Sequence, residues 1–150
     1  MLKGINPLLT PDLLKILMEM GHDDALVLAD ANFTAMSIAA GKPVLRLPGV
    51  SMVHAVRAVT SVLPLAADVD HPVAFMQVSG SADAYRSEVQ REVLEMVAPD
   101  LLPGQSAEAV ERFAFYARAR AAYAIVLTGE RQPFANFILR KGVIGENLRP

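Results

Sequence analysis

Short apolar runs, separated by segments with helical spacing, constrain the fold of this chain more than any other feature. Ala25 to Ala29 is continuously apolar between polar ends, and further strands are predicted at Val44–Leu47, Val73–Val78, Tyr123–Leu127 and Phe137–Leu139. An apolar run of about five residues without polar alternation is typical of a strand covered on both faces, as in a parallel sheet between helices. A sheet with helices on both sides is therefore expected.

Helices are predicted between these strands. The first begins at Thr10-Pro11, because Thr can accept hydrogen bonds from free backbone N–H groups and Pro has no N–H at the first helical position. Gly21 is predicted to end that helix. Three more are predicted, beginning near Ser51, from about Ala84 to Val97, and from about Ala107 to Ala121. This alternation predicts one α/β domain over residues 1–150, with a largely parallel or mixed sheet between two helical layers.

Charge and hydropathy narrow the classes of partner. The chain carries 14 Lys and Arg against 16 Asp and Glu, so it lacks the basic surplus that binds nucleic acid or an anionic membrane. The apolar fraction is 53%, yet runs such as Ala121 to Leu127 are far shorter than the roughly 18 residues of a membrane span. This apolar surplus in a small domain predicts subunit interfaces, and hence a homo-oligomer.

Several kinds of chemistry have no support in the sequence. There is no cysteine, which excludes disulfides and thiolate zinc sites, and no signal-peptide pattern at the N-terminus, so a cytoplasmic location is expected. Phosphate-binding glycine loops and the G-x-S-x-G and H-E-x-x-H motifs are also missing. The group Asp68, Asp70 and His71 is interpreted as a solvated turn rather than a metal site. We therefore expect neither a metal nor a cofactor.

Two polar residues flank the first predicted strand. His22 follows the helix-ending Gly21, so its ring can lie at the rim of a pocket; the alternative is a hydrogen-bonded loop histidine. Asp30 lies at the carboxyl end of the strand, where open α/β sheets bind ligands, and Gly129 is expected at the same edge. The alternative for Asp30 is a carboxylate that caps the following turn.

The sequence resembles the RbsD/FucU family of sugar mutarotases and pyranases, and within it the fucose branch. The resemblance covers nearly the whole chain, and it rests on several spaced motifs that occur in the family's order. These motifs are Met1-Leu2-Lys3-Gly4-Ile5, Glu19-Met20-Gly21-His22, Asp30-Ala31-Asn32-Phe33, Arg112-Phe113-Ala114-Phe115-Tyr116, Ala124-Ile125-Val126, Thr128-Gly129-Glu130, and Asn136 with Ile138, Leu139, Lys141, Gly142 and Val143.

The resemblance implies a three-layer α/β fold assembled into rings of five or ten subunits, with monosaccharide sites where neighbouring subunits meet. It also implies mutarotation, the exchange of α and β anomers, without a cofactor. His22 would be the acid/base. Asp30 would either orient and stabilise the imidazole or accept a sugar hydroxyl, and both roles stay open at this stage.

The resemblance further implies that Arg112, Tyr116, Phe134 and Asn136 contact the sugar. Interface packing is the alternative for Tyr116, and turn formation is the alternative for Asn136. Phe134 departs from the family, which usually has tyrosine there, and phenylalanine has no proton to transfer. Three hypotheses follow: a mutarotase for L-fucose or a related sugar, a non-catalytic sugar-binding or regulatory protein of a sugar-uptake operon, or a structural ring protein without a ligand.

Overall fold

A six-stranded mixed sheet forms the centre of the molecule in the computed structural model, which describes residues 2–145. Its strand order is β2-β5-β1-β6-β3-β4, and every pairing is parallel except those of β6, which runs antiparallel to both β1 and β3. The strands are β1 Ala25–Ala29, β2 Val44–Leu47, β3 Val73–Met76, β4 Ala107–Val110, β5 Ala124–Thr128 and β6 Phe137–Arg140. The predicted α/β class with a largely parallel, mixed sheet is confirmed.

Five α-helices are described in residues 2–145, and none of them is long and apolar enough to cross a membrane. They are α1 Pro11–Glu19, α2 Ala35–Ala39, α3 Met52–Thr60, α4 Glu88–Val97, which continues into a 3-10 turn at Ala98–Asp100, and α5 Arg112–Ala121. Hydroxyl side chains fix three of their starts. The Oγ atoms of Thr10, Ser51 and Ser87 accept hydrogen bonds from backbone N–H groups in the first turns of α1, α3 and α4.

Alternating side chains divide the core into two clusters, one on each face of the sheet. Leu26 and Leu28 of β1 pack on the side of α1, α3 and α4. Val27 and Ala29 pack on the opposite side, with buried residues of α2 and α5. The helix–sheet–helix arrangement follows from this alternation, since both faces of each inner strand are apolar.

One predicted helix is wrong in its first part. Residues 107–110, expected to open the last helix, form edge strand β4, which pairs in parallel with β3. The local sequence Ala107-Glu108-Ala109-Val110 contains good helix formers, but pairing with a neighbouring strand outweighs that preference. The helix itself begins at Arg112, where the Glu111 side chain accepts hydrogen bonds from two backbone N–H groups.

Other boundaries differ from the prediction by a few residues. α1 ends at Glu19, two residues before Gly21, and β3 ends at Met76 rather than Val78. α4 begins at Glu88 rather than near Ala84, because Ser87 caps it. Helix α2, five residues long, was not predicted, since so short a segment carries no helical periodicity.

Candidate functional site

The carboxyl ends of the five parallel strands lie at one edge of the sheet, which we call the carboxyl edge. Because β6 runs antiparallel, it begins where its neighbours end. Asp30, directly after β1, therefore lies beside Asn136, directly before β6, although 106 residues separate them. Gly129, directly after β5, is also at this edge.

Asp30 and Asn136 form a reciprocal, buried hydrogen-bonded pair. The backbone N–H of Asp30 donates to Asn136 Oδ1 at 2.9 Å, and Asn136 Nδ2 donates to Asp30 Oδ2 at 2.9 Å. The second carboxylate oxygen accepts the backbone N–H of Asn32 at 2.9 Å. Only 4% of Asp30 and 2% of Asn136 are exposed. Asp30 thus caps the turn that follows β1, and it also forms a polar pair of defined geometry with Asn136.

The environment of Asp30 raises the pKa of its carboxyl. Burial is the main cause, because it removes water from the charged form. Hydrogen bonds from Asn32 and Asn136 act in the opposite direction, and the nearby carboxylate of Glu130 raises the pKa again. A carboxylate held in this way is a stronger hydrogen-bond acceptor than a fully hydrated one.

This raised pKa predicts a pH-dependent effect of Asp30→Asn on stability. When Asp30 is protonated, at a pH below its pKa in the unfolded state, the folded wild-type protein does not bear the cost of burying a charge. As the pH rises through the higher pKa of the folded state, Asp30 ionises in its buried position and the wild-type protein loses stability. The uncharged variant does not share that loss, so its stability relative to wild type should increase between about pH 4 and pH 7. Urea unfolding at both pH values measures the difference. A pH-independent difference between Asp30→Asn and wild type would contradict the prediction.

The turn Thr128-Gly129-Glu130 closes the carboxyl edge next to β1. Thr128 Oγ1 donates to the carbonyl of Ala29 at 2.9 Å, and the backbone N–H of Ala31 donates to the carbonyl of Glu130 at 2.8 Å. These two bonds join the ends of β1 and β5 around Asp30. The turn therefore shapes the site through its backbone.

Gly129→Ala should destabilise the protein by about 3 kcal/mol, the upper part of the range for overpacking. A Cβ at Gly129 would overlap the backbone of Gly49, which has no flexible side chain to move aside. Thermal and urea unfolding measure the loss. Gly145→Ala is the matched control, because no atom lies within 4 Å of its added Cβ; equal stability of the two variants would show that the close approach is absent in solution.

Aromatic side chains link α5 to the segment after Asp30. The ring of Tyr116 packs edge-on against Phe33, with centroids 5.7 Å apart, and against Phe113 at 6.2 Å. The guanidinium of Arg112 lies 4.6 Å from the centre of the Phe113 ring. Phe33 is itself joined to the site, since its backbone N–H donates to the carbonyl of Asp30. Arg112 and Tyr116 thus share the carboxyl edge with Asp30 and Asn136.

Arg112 presents a donor that the described protein atoms do not satisfy. Its Nε is buried, and no hydrogen-bond partner for it lies within residues 2–145. Arg112 also helps to line a cavity of about 240 Å³ with Gln77, Val78, Ser79, Gly80 and Glu111. An unpaired buried N–H costs free energy, so an incoming ligand oxygen would gain from meeting it.

Phe134 lies two residues before Asn136 with an unusual backbone. Its φ is +62°, in the left-handed region that side chains with a Cβ rarely occupy. The half-buried ring packs against the α2 and α5 side of the core. Its carbonyl accepts a hydrogen bond from Gln90 Nε2 at 2.9 Å.

His22 lies at the opposite edge of the sheet, before the amino end of β1. Asp23, Asp24 and the whole of β1 separate it from Asp30, and β1 alone is roughly 16 Å long. Its Nε2 is 3.0 Å from Oδ2 of Asp68, and 45% of its side chain is exposed. Hydrogen bonding to His22 is the main cause that lowers the pKa of Asp68. Within one protomer, His22 is therefore not brought together with the other five candidate residues.

Two cavities lie near the amino end of β1. His22 borders an apolar groove of about 440 Å³, lined by Met18, Val143 and Ile144 among others. A separate cavity of about 530 Å³ contains charged groups paired with one another, as in the Arg118–Glu108 and Arg140–Asp23 bridges. In the described part of the chain, no three His, Asp or Glu side chains form a set that could hold a metal ion.

Sequence patterns do not reveal the contacts of two residues, Asp68 and Gln90. In the sequence Asp68 belongs to a predicted solvated turn with Asp70 and His71, and no spacing rule connects it with His22, 46 positions earlier. Gln90 is fully buried, which is unusual for glutamine. The Ser87-x-x-Gln90 pattern is a recognisable capping box and marks the start of α4, but it does not reveal that the glutamine reaches Phe134.

Relatives of known name and structure match the chain over nearly its whole length. An L-fucose mutarotase of Glaesserella parasuis serovar 5 is 42% identical over 143 residues, which are 95% of this chain and 96% of that protein. A fucose mutarotase from Streptococcus pneumoniae, solved in complex with L-fucose, is 37% identical with a TM-score of 0.86, covering 96% of this chain and 100% of the other.

A more distant structure extends the comparison of folds. Bacillus subtilis RbsD, solved with D-ribose, is 23% identical with a TM-score of 0.74, covering 97% of this chain and all of the other, which shows a shared fold. Residues 3–144 match the RbsD / FucU transport protein family as a whole. The chain therefore belongs to the RbsD / FucU family.

Proposed function

We propose that this chain is a mutarotase that interconverts the α and β anomers of L-fucose or a closely related monosaccharide. The observation that carries the proposal is the match, over 96% of the chain, to a fucose mutarotase solved with L-fucose. Curated relatives at 41–42% identity bear the name L-fucose mutarotase. We place the activity in the cytoplasm, where free sugar would pass to an isomerase or kinase.

Mutarotation requires only proton transfers between the sugar and nearby groups. The anomeric hydroxyl loses its proton while the ring oxygen gains one, so the bond between C1 and the ring oxygen breaks and C1 becomes a carbonyl carbon. Rotation about the C1–C2 bond and attack of the new hydroxyl on the other face of C1 give the other anomer. A positioned acid or base accelerates such transfers about 10²- to 10⁴-fold.

His22 is the proposed acid/base. If Nε2–H donates to Asp68 Oδ2, 3.0 Å away, the neutral imidazole has its free lone pair on Nδ1. That nitrogen can accept the anomeric proton and, once protonated, the ring can donate to the sugar's ring oxygen. The partly exposed position of His22 leaves the ring accessible to a substrate.

The carboxyl edge is the proposed sugar-binding part of the site. Asp30 accepts hydrogen bonds from sugar hydroxyls, and Asn136 fixes the carboxylate through the reciprocal pair. Arg112 offers fixed guanidinium donors, including the unpaired Nε–H. Tyr116 provides a hydroxyl and an apolar ring next to Phe33, which suits a sugar with both hydroxyls and a methyl group.

A site that contains both His22 and Asp30 needs two subunits. The two residues lie at opposite ends of β1, so one protomer cannot present both to a single monosaccharide. We propose that His22 of one copy meets the carboxyl edge of the next. This assigns His22 to one subunit, and Asp30, Arg112, Tyr116, Phe134 and Asn136 to its neighbour.

Exposed apolar side chains support this head-to-tail contact. Met18, Val143 and Ile144 near His22 are 82%, 71% and 87% exposed, and Met36 and Phe113 near the carboxyl edge are 66% and 63% exposed. Two different apolar surfaces on one molecule favour heterologous contacts, which close into rings when the rotation allows it. A pentamer, or a decamer of two such rings, is the proposed assembly.

Proton NMR with L-fucose tests the proposed function. One anomeric proton is irradiated with and without sub-stoichiometric protein, and D-ribose and D-galactose are compared as other sugars. A catalyst transfers saturation to the other anomer faster than the uncatalysed exchange. Shifted resonances in proportion to occupancy, without transfer, would instead support the sugar-binding alternative, which the absence of a phenol at Phe134 favours.

Phe134→Tyr should raise anomer exchange on the order of 10-fold if a hydroxyl at this position supplies a second proton-transfer group. The phenylalanine is half-buried against the α2 and α5 side of the core, two residues before Asn136. The rate is measured by the same NMR transfer at matched protein concentration. No gain in a folded variant would count against a limiting role for the missing hydroxyl.

A further inference from the structure

Gln90 is a fully buried amide whose polar atoms are all hydrogen-bonded. Its side chain is 0% exposed. Gln90 Oε1 accepts the backbone N–H of Ser87 at 3.1 Å, and Nε2 donates to the carbonyl of Met76 at 2.7 Å and to that of Phe134 at 2.9 Å. A capping box needs only the Ser87 contact, so the two Nε2 contacts have another role.

Those two contacts join three separate parts of the chain. Met76 ends β3, Phe134 lies in the loop before β6, and Gln90 belongs to the first turn of α4. The backbone N–H of Met76 in turn donates to the carbonyl of Asn136 at 3.0 Å. Gln90 is thus bonded directly to the backbone of Phe134 and, through Met76, is linked to the backbone of Asn136.

The strained backbone at Phe134 needs such a contact. For a residue with a Cβ the left-handed conformation is unfavourable, and it persists only where the surroundings impose it. The hydrogen bond from Gln90 to the Phe134 carbonyl is a contact that does so. Loss of this bond would remove a restraint on the backbone that leads from Phe134 to Asn136.

We infer that Gln90 is a positioning residue for the sugar site: its amide fixes Phe134 and Asn136 relative to Asp30. This inference rests on the proposed function, because it assigns Gln90 a role in the same sugar-binding edge. Gln90 itself does not contact the sugar. It acts through the Phe134 backbone and through the Asn136–Asp30 pair.

Gln90→Met tests the inference, with Ser87→Ala as the matched control. Met has a similar length but donates no hydrogen bond, so both carbonyls lose their partner. Ser87→Ala removes the N-cap bond to the Gln90 backbone N–H and weakens α4, yet leaves the Gln90 side-chain donors in place. L-fucose affinity, KM and kcat for anomer exchange, and Tm are measured for both variants.

For Gln90→Met we expect weaker L-fucose binding and lower kcat/KM, each by about 10-fold or more, because small displacements of positioning groups have large effects on rate. Ser87→Ala should have a lower Tm with KM and kcat as in wild type. A Gln90→Met protein with wild-type KM and kcat would overturn the inference. So would equal losses of activity in both variants, which would indicate a general effect of weakening α4.

A second measurement covers the case in which Gln90→Met does not fold. In wild-type protein, the side-chain amide resonances of Gln90 and Asn136 are followed by ¹⁵N NMR as L-fucose is added. Both should shift on saturation, as expected of one hydrogen-bonded unit. A shift of Asn136 alone would overturn the role of Gln90 but leave the proposed function standing, whereas wild-type protein inert toward L-fucose would overturn both.

Discussion

Replacing His22 by alanine should reduce L-fucose anomer exchange about 10²- to 10⁴-fold, the usual contribution of a positioned acid or base. The imidazole is the proposed proton carrier, and its partly exposed position makes the variant harmless to the core. Saturation transfer between the anomeric protons measures the rate. His71→Ala is the matched control, because His71 is another exposed histidine at the same edge of the sheet, and its hydrogen bonds within residues 2–145 are to Ser106.

The two histidine variants separate proton transfer from folding. Both should unfold at the wild-type temperature within a few degrees, since each removes an exposed side chain. Only His22→Ala should lose activity. Exchange by His22→Ala at the wild-type rate would remove His22 from the mechanism and direct attention to the carboxyl edge alone.

Co-assembly of two inactive variants, His22→Ala and Asp30→Ala, should restore about one quarter of wild-type activity when the subunits mix at random in a head-to-tail ring. A site is intact only when its His22 comes from an Asp30→Ala chain and its Asp30 from a His22→Ala chain. Each of the two neighbouring subunits is the required variant in about half of the cases, so about one quarter of the sites are intact. Co-expression with two different affinity tags, followed by purification through both, isolates the mixed assemblies.

This recovery distinguishes a shared site from two independent ones. If one protomer supplied both residues, every chain in the mixed ring would lack one of them, and activity would stay at the level of the single variants. Mixing the finished proteins without subunit exchange is the control, and it should stay inactive. The amount recovered therefore measures whether the sheet edges of neighbouring copies meet.

The inner strands could be predicted because a strand that is buried on both faces has a continuous apolar run in the sequence. The apolar runs at β1 and β5 have no polar residue to interrupt them, and the structure places both strands within one residue of the prediction. Edge strand β4 has no such run. Its Ala-Glu-Ala-Val sequence favours a helix, and only pairing with β3 makes it a strand.

The candidate residues could be named from the sequence, but which of them lie next to each other in the fold could not. The resemblance supplied Asp30 and Asn136 as separate candidates 106 positions apart. Their reciprocal hydrogen bonds depend on the antiparallel direction of β6, which starts at the carboxyl edge. A parallel β6 would have placed Asn136 at the opposite edge, and the alternation of strands and helices does not determine that direction.

The sequence by itself determined the α/β class and the family, and it supplied the candidate side chains of the site. These depend on local patterns and on residue identity, which a linear chain records directly. Only the tertiary structure decided that His22 stands apart from Asp30, that Asp68 is its partner, and that Gln90 holds the Phe134 loop. Contacts between distant segments depend on strand order and direction, and these arise when the whole core packs together.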